Sequence, residues 1–116
     1  MTNQAETKSK AEPTVARNAF GDVAPALADY TDRILFGDVW QRPGLSPRER
    51  SLITVASLVA LYRGNELPFH LGKALDNGVS RDELIELITH LAFYSGWPTA
   101  STALAVARQV FASREA

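Results

Sequence analysis

Histidine is the side chain whose unperturbed pKa suits proton transfer near neutral pH, and this chain has two. Each has a glutamate four residues before it: Glu66 and His70, Glu86 and His90. On a helix that spacing sets the two side chains over one another. A carboxylate so placed orients the imidazole and raises its pKa, an arrangement suited to general acid–base catalysis. The same spacing also serves as an ordinary surface pair worth a few tenths of a kcal/mol. His70 is the stronger candidate, because Leu67, Phe69 and Leu71 surround it in sequence and its helix begins beside the break at Gly64.

Glu66, His70, Glu86 and His90 together also offer two carboxylates and two imidazoles, a set that suits a non-thiolate metal. Neither an HExxH motif nor a Glu-x-x-His motif accompanies them, so no metal is expected. Arg42, Arg48 and Arg50 flank the start of the most apolar helix. A guanidinium there grips a substrate carboxylate bidentately, or pairs with a neighbour such as Glu49. Tyr94 and Trp97 bracket Gly96 and read as core and lid packing, with the Tyr94 hydroxyl able to donate a hydrogen bond into a pocket. No cysteine occurs among the 116 residues, which excludes disulfides, thiolate metal sites and thiol nucleophiles from this sequence. No Ser-His-Asp order, phosphate loop or dinucleotide fingerprint can be assembled.

The elements that must carry these residues are helices. Residues 1–14 are polar, with almost nothing to bury, and are expected to form a flexible arm ahead of a single domain over 15–116. Between Val15 and Phe36 the residues Leu27, Tyr30, Ile34 and Leu35 recur at helical spacing, and Gly37 closes that helix. A loop punctuated by Pro43 and Gly44 follows. Ser46-Pro47-Arg48-Glu49 is a capping box, and it opens a helix to about Arg63 that is apolar on every side. Such a helix wants to be surrounded, in part by another subunit in so short a chain. Gly64 ends it; a short helix from about Asn65 to Asp76 is closed by Asn77-Gly78 as a left-handed cap. Ser80-Arg81-Asp82-Glu83 is a second capping box, before a helix with Leu84, Leu87, Ile88 and Leu91 on its inner face. After Gly96-Trp97-Pro98 a last helix runs to about Ser113, with Ala100, Ala103, Leu104, Ala107, Val110 and Phe111 as its stripe. The fold class expected is all-α, with about five helices and no strand pattern.

With 12 Lys and Arg against 13 Asp and Glu, the net charge is -1, which leaves no basic footprint for nucleic acid. The longest apolar run, Leu52 to Tyr62, is far short of the ~20 residues that span a bilayer. A cytoplasmic protein with neither membrane nor nucleic-acid partners is expected.

The order of blocks adds a resemblance. Gly37-Asp38-Val39-Trp40-Gln41-Arg42-Pro43-Gly44-Leu45, Arg50-Ser51-Leu52-Ile53-Thr54-Val55-Ala56 and Glu66-Leu67-Pro68-Phe69-His70 come first; Asn77-Gly78-Val79-Ser80-Arg81-Asp82-Glu83-Leu84 and Ala92-Phe93-Tyr94-Ser95-Gly96-Trp97-Pro98 follow. From about Asp32 to Phe111 the series resembles the carboxymuconolactone decarboxylase family, within the alkyl hydroperoxidase D-like fold. The resemblance implies a helical bundle that assembles into homo-oligomers, commonly trimers or hexamers, which bury the central helix. It also implies two branches. The peroxidase branch carries Cys-x-x-Cys-x-x-x-His with an upstream glutamate; here Arg63 and Glu66 stand in the cysteine positions and Ser51 in that of the glutamate. Thiol peroxidase chemistry is excluded.

The decarboxylase branch keeps Glu-x-x-x-His and needs no cofactor. Its implied reaction removes CO2 from a small carboxylated lactone, with His70 as the acid and Glu66 orienting it. Arg42 or Arg50 would anchor the carboxylate, and His90 and Tyr94 would stand on the oxyanion side with Trp97 nearby. The family's decarboxylases carry an arginine-rich segment before the first core helix, where Thr14 to Asp22 has only Arg17. The alternatives are a related isomerase or hydrolase of an aromatic or lactone metabolite, and a non-catalytic oligomeric binder of small ligands.

Overall fold

Two serine–glutamate pairs set where the long helices begin. In the computed structural model, which describes residues 12–115, the Glu49 N–H donates to Ser46 Oγ at 3.0 Å and the Ser46 N–H to Glu49 Oε1 at 2.8 Å. Ser80 and Glu83 repeat the exchange at 3.0 and 2.9 Å. Both capping boxes expected from the sequence are therefore formed, each satisfying two backbone donors that a helix start leaves open.

The elements are α1 (Val15–Phe20), α2 (Pro25–Asp29) running into a π-helical segment (Tyr30–Phe36), a 3₁₀ turn (Val39–Gln41), α3 (Pro47–Ala60), α4 (Leu67–Asp76), α5 (Arg81–Ser95) and α6 (Trp97–Glu115). All are helical, and no strand occurs among the described residues. The chain divides into two compact units, one ending at Gly44 and the other beginning at Leu45. Of the expected arm over 1–14, residues 1–11 lie outside the described residues. Among the described residues no helix is long and apolar enough to cross a membrane.

In the first unit the single helix expected over 15–36 is broken once, at Gly21–Ala24, and its second part passes from α-helix to π-helix. Thr14 offers α1 no side-chain cap, and Asp32 supplies it instead. Its carboxylate accepts the Ala16 and Arg17 N–H groups, both at 2.8 Å, which is why a charged residue is buried here. Chain reversal at Gly21–Ala24 is what lets residue 32 reach back to residue 16. The apolar stripe expected along Leu27, Tyr30, Ile34 and Leu35 is exposed; Ala28, Asp32 and Phe36 are the buried positions. The need to cap α1 with Asp32 turns that other face inward.

The second unit is a four-helix cluster, α3 to α6. Its core is Val55 and Val59 from α3, Leu67, Leu71 and Ala74 from α4, Leu84, Ile88 and Ala92 from α5, and Ala100, Ala103, Ala107 and Phe111 from α6, closed by Val79. The inner faces expected for α5 and α6 hold, save that Leu104 is exposed. The alanines keep α6 slim enough to pack closely on α5 and α4. The helix expected to be surrounded, α3, buries Ser51, Val55 and Val59 within the chain but leaves Ile53 exposed.

Candidate active site

The site is built on the first turn of α4. Pro68 sits in that turn, where its missing N–H costs nothing, and Leu67 and Leu71 anchor the helix in the core. These anchors fix His70 between them. Its ring is half-buried with Nδ1 screened from solvent, and it meets the Phe69 ring edge to face at 5.0 Å. Glu66 stands at the N-cap position, one turn before His70, and its side chain makes no capping hydrogen bond. The carboxylate is thus not spent on the helix terminus.

Glu66 raises the His70 pKa as expected, but the net shift is downward. Burial pushes the imidazole below its ordinary value of 6.5, and the Lys73 ammonium one turn on adds to the fall. Glu66 opposes both, without overcoming them. At neutral pH the ring is therefore mostly neutral, and its protonated form is a stronger acid than free histidine.

Arg50 lies in the first turn of α3, half-buried, with its Nε screened from solvent. Arg48, beside it, pairs with Glu83 across to α5 rather than with Glu49. Arg42 belongs to the first unit, is exposed, and lies 3.9 Å from Asp38. Of the two candidate carboxylate anchors, Arg50 shares a unit with His70. Ser51, which stands where the peroxidase branch has its glutamate, is fully buried and accepts a hydrogen bond from Asn77 Nδ2 at 3.1 Å. That serine ties α3 to the turn after α4.

The second histidine is arranged differently. His90 is exposed on α5 and stacks on Tyr94 with ring centroids 4.8 Å apart. It lines a shallow groove of about 340 Å³ with Ala56, Glu83, Glu86, Leu87 and Leu91. Tyr94 and Trp97, expected as core packing, are 78% and 63% exposed. Gly96, at φ 103, turns the chain so that both point outward, and Trp97 meets Phe93 edge to face at 5.1 Å. Among the described residues no three His, Asp or Glu side chains gather as metal ligands, so the two Glu–His pairs do not form one metal site.

Sequence reasoning missed one residue here. It placed the end of α3 at Gly64, whereas α3 ends at Ala60 and the left-handed residue that closes it is Tyr62, at φ 63. The available signal was a glycine standing two positions too late to close the helix.

Comparison with known proteins places the sequence among relatives. The chain is 46% identical over 83 residues to the 4-carboxymuconolactone decarboxylase of Acinetobacter baylyi, covering 72% of this chain and 62% of that protein. It is 38% identical over 74 residues to the nitrosuccinic acid decarboxylase npaB of Metarhizium robertsii, covering 64% of this chain and 52% of that one. An uncharacterized 15.0 kDa protein of Paracoccus denitrificans, from its nqo9-nqo10 intergenic region, is 27% identical over 99 residues, with 84% and 74% covered. The matches span less than two thirds of the two decarboxylases. Residues 25–109 fit the model of one family throughout, and on that match the chain belongs to the carboxymuconolactone decarboxylase family.

Proposed function

We propose that this chain is a decarboxylase of small carboxylic acids that works without a cofactor, with a carboxylated lactone such as 4-carboxymuconolactone as its first candidate substrate. The observation that carries the reading is the 46% identity to a 4-carboxymuconolactone decarboxylase across the segment that holds Glu66 and His70. Both relatives with named activities are decarboxylases. Their substrates share a carboxylate near an electron-withdrawing group, which is what loss of CO2 without a cofactor requires.

In the proposed reaction Arg50, or Arg42, holds the substrate carboxylate bidentately. The bond from the ring carbon to that carboxylate breaks, CO2 leaves, and the electron pair moves into the conjugated carbonyl as an enolate. His90 and Tyr94 are the proposed donors to that oxygen. The His70 imidazolium then gives its proton to the ring carbon and is reloaded from water, while Glu66 orients the ring. Trp97 is proposed to wall the site. The exposed apolar residues of α3, α5 and α6 support a homo-oligomer as the working form.

The test is turnover of 4-carboxymuconolactone, followed as loss of its ultraviolet absorbance and release of CO2. His70→Ala is expected to cut kcat by at least about 100-fold, the lower range for a lost general acid, with melting temperature little changed. A folded wild-type protein that leaves the lactone intact rules out this substrate, and full activity in His70→Ala removes the acid from the site.

A further inference from the structure

Helices α3 and α4 end in the same hydrogen-bonded turn. After α4, the Gly78 N–H donates to the Leu75 carbonyl at 3.2 Å and the Val79 N–H to the Ala74 carbonyl at 2.9 Å. After α3, the Tyr62 N–H donates to the Val59 carbonyl at 3.1 Å and the Arg63 N–H to the Leu58 carbonyl at 2.8 Å. This turn needs a left-handed residue just past the helix, and glycine adopts that backbone without steric cost. The end of α4 uses Gly78, at φ 95; the end of α3 uses Tyr62, at φ 63. Among the described residues Tyr62 is the one non-glycine with positive φ, and for a bulky side chain that is an outlier.

Closing the turn does not account for the tyrosine, since glycine closes the matching turn with less strain. Core packing does not account for it either, because the side chain is 61% exposed. What the side chain does make is a link to α6: Tyr62 Oη accepts a hydrogen bond from Thr102 Oγ1 at 3.4 Å, across 40 residues of sequence. Gly64, two residues on, faces the same threonine, whose methyl lies 3.7 Å from where a Cβ would stand. The α3–α4 connection therefore meets Thr102 through the Tyr62 hydroxyl, with Gly64 facing the same residue. At its far end stands Glu66, with His70 one turn further.

We propose that Tyr62 is a positioning residue of the His70 site: its side chain, moored on Thr102, holds the α3–α4 connection so that Glu66 stays beside His70, and the left-handed backbone is the cost of that mooring. The proposal rests on reading Glu66 and His70 as the acid–base pair.

The experiment follows the titration of both imidazoles by NMR, with His90 as internal reference, in wild type, Tyr62→Gly, Tyr62→Phe and Glu66→Gln. Melting temperature and kcat/KM on 4-carboxymuconolactone are measured on the same samples. Glu66→Gln is expected to lower the His70 midpoint, because it removes the carboxylate that favours the imidazolium. Tyr62→Gly is expected to keep or raise the melting temperature, yet move the His70 midpoint down toward the Glu66→Gln value and cut kcat/KM by at least about tenfold, mainly in kcat. Tyr62→Phe, which keeps the ring and loses the hydroxyl, is expected to fall between the two.

A Tyr62→Gly protein with wild-type midpoint and turnover overturns the proposal. So does a lower melting temperature with the His70 midpoint unmoved, which is the signature of a merely structural tyrosine. If wild type leaves the lactone untouched, the substrate reading fails while the titration still decides the role of Tyr62. If Glu66→Gln leaves the His70 midpoint in place, the acid–base pair fails and takes the proposal with it.

Discussion

A carbanion is protonated fastest by a strong acid, yet a strong acid is seldom charged at neutral pH. His70 stands on that compromise: burial and Lys73 make its imidazolium a stronger acid, and Glu66 limits how far the ring is emptied of protons. If the imidazolium is the working form, kcat/KM falls as pH rises through a midpoint below 6.5, and a basic limb centred above that value contradicts the assignment. Stability carries the same group with the opposite sign. The unfolded chain binds this proton more readily than the folded one, so lowering pH costs stability, starting near the ordinary value of 6.5 and ending below the folded one. His70→Gln is expected to flatten that part of the profile, seen as a melting temperature that drops less than wild type's between about pH 7.5 and pH 5. Equal drops in both proteins would show that His70 titrates as it does in the unfolded chain.

At the scale of elements, the sites where helices start were legible and the sites where they turn were only partly so. Ser46–Glu49 and Ser80–Glu83 are local patterns whose geometry is complete within four residues, and Gly78 can be read from its neighbour Asn77. Asp32 caps α1 from 16 residues away, and the Tyr62 side chain meets Thr102 40 residues on, contacts that no local pattern carries. Of the site, the Glu66–His70 spacing was legible, while the direction of the His70 pKa was not, because it is decided by burial. Ser51 shows the same divide. It stands where the peroxidase branch has its glutamate, and its contacts show why a glutamate does not fit here: the serine is fully buried and held by Asn77. Ser51→Glu would put a carboxylate where Val55 and the turn after α4 leave no water, and is expected to destabilise by about 3 kcal/mol or more. Asn77→Ala, which removes one hydrogen bond to a buried hydroxyl, is expected to cost about 1–2 kcal/mol. Urea unfolding measures both, and a Ser51→Glu protein as stable as wild type would mean that α3 can shift to admit the charge.

For the molecule as a whole, the dominant surface feature is apolar. Phe93, Tyr94 and Trp97 crowd the corner where α5 meets α6, and Phe93 is 74% exposed. Beside them Ile88, Ala92, Ala100 and Leu104 line a groove of about 300 Å³ with no charged residue in it. Aromatic side chains bury roughly 150–250 Å² each, so three that are largely exposed offer about 300–500 Å² of the ~800 Å² per partner that a stable interface needs. In the proposed homo-oligomer a second copy of the chain would bring its own aromatic corner to such a groove, and Ile53 on α3 gives further exposed apolar area. The proposed assembly therefore has a physical cost if it is prevented: water must cover this surface. Light scattering is expected to give a mass that is a multiple of 12.7 kDa, with a melting temperature that rises with protein concentration. Replacing Phe93 and Trp97 together by Asp puts two charges into that face and is expected to yield monomers that melt lower and no longer depend on concentration. A wild-type protein that stays at 12.7 kDa at about 0.1 mM and is fully active would leave the aromatic corner free for a ligand, and the double variant's KM would then be the quantity that moves.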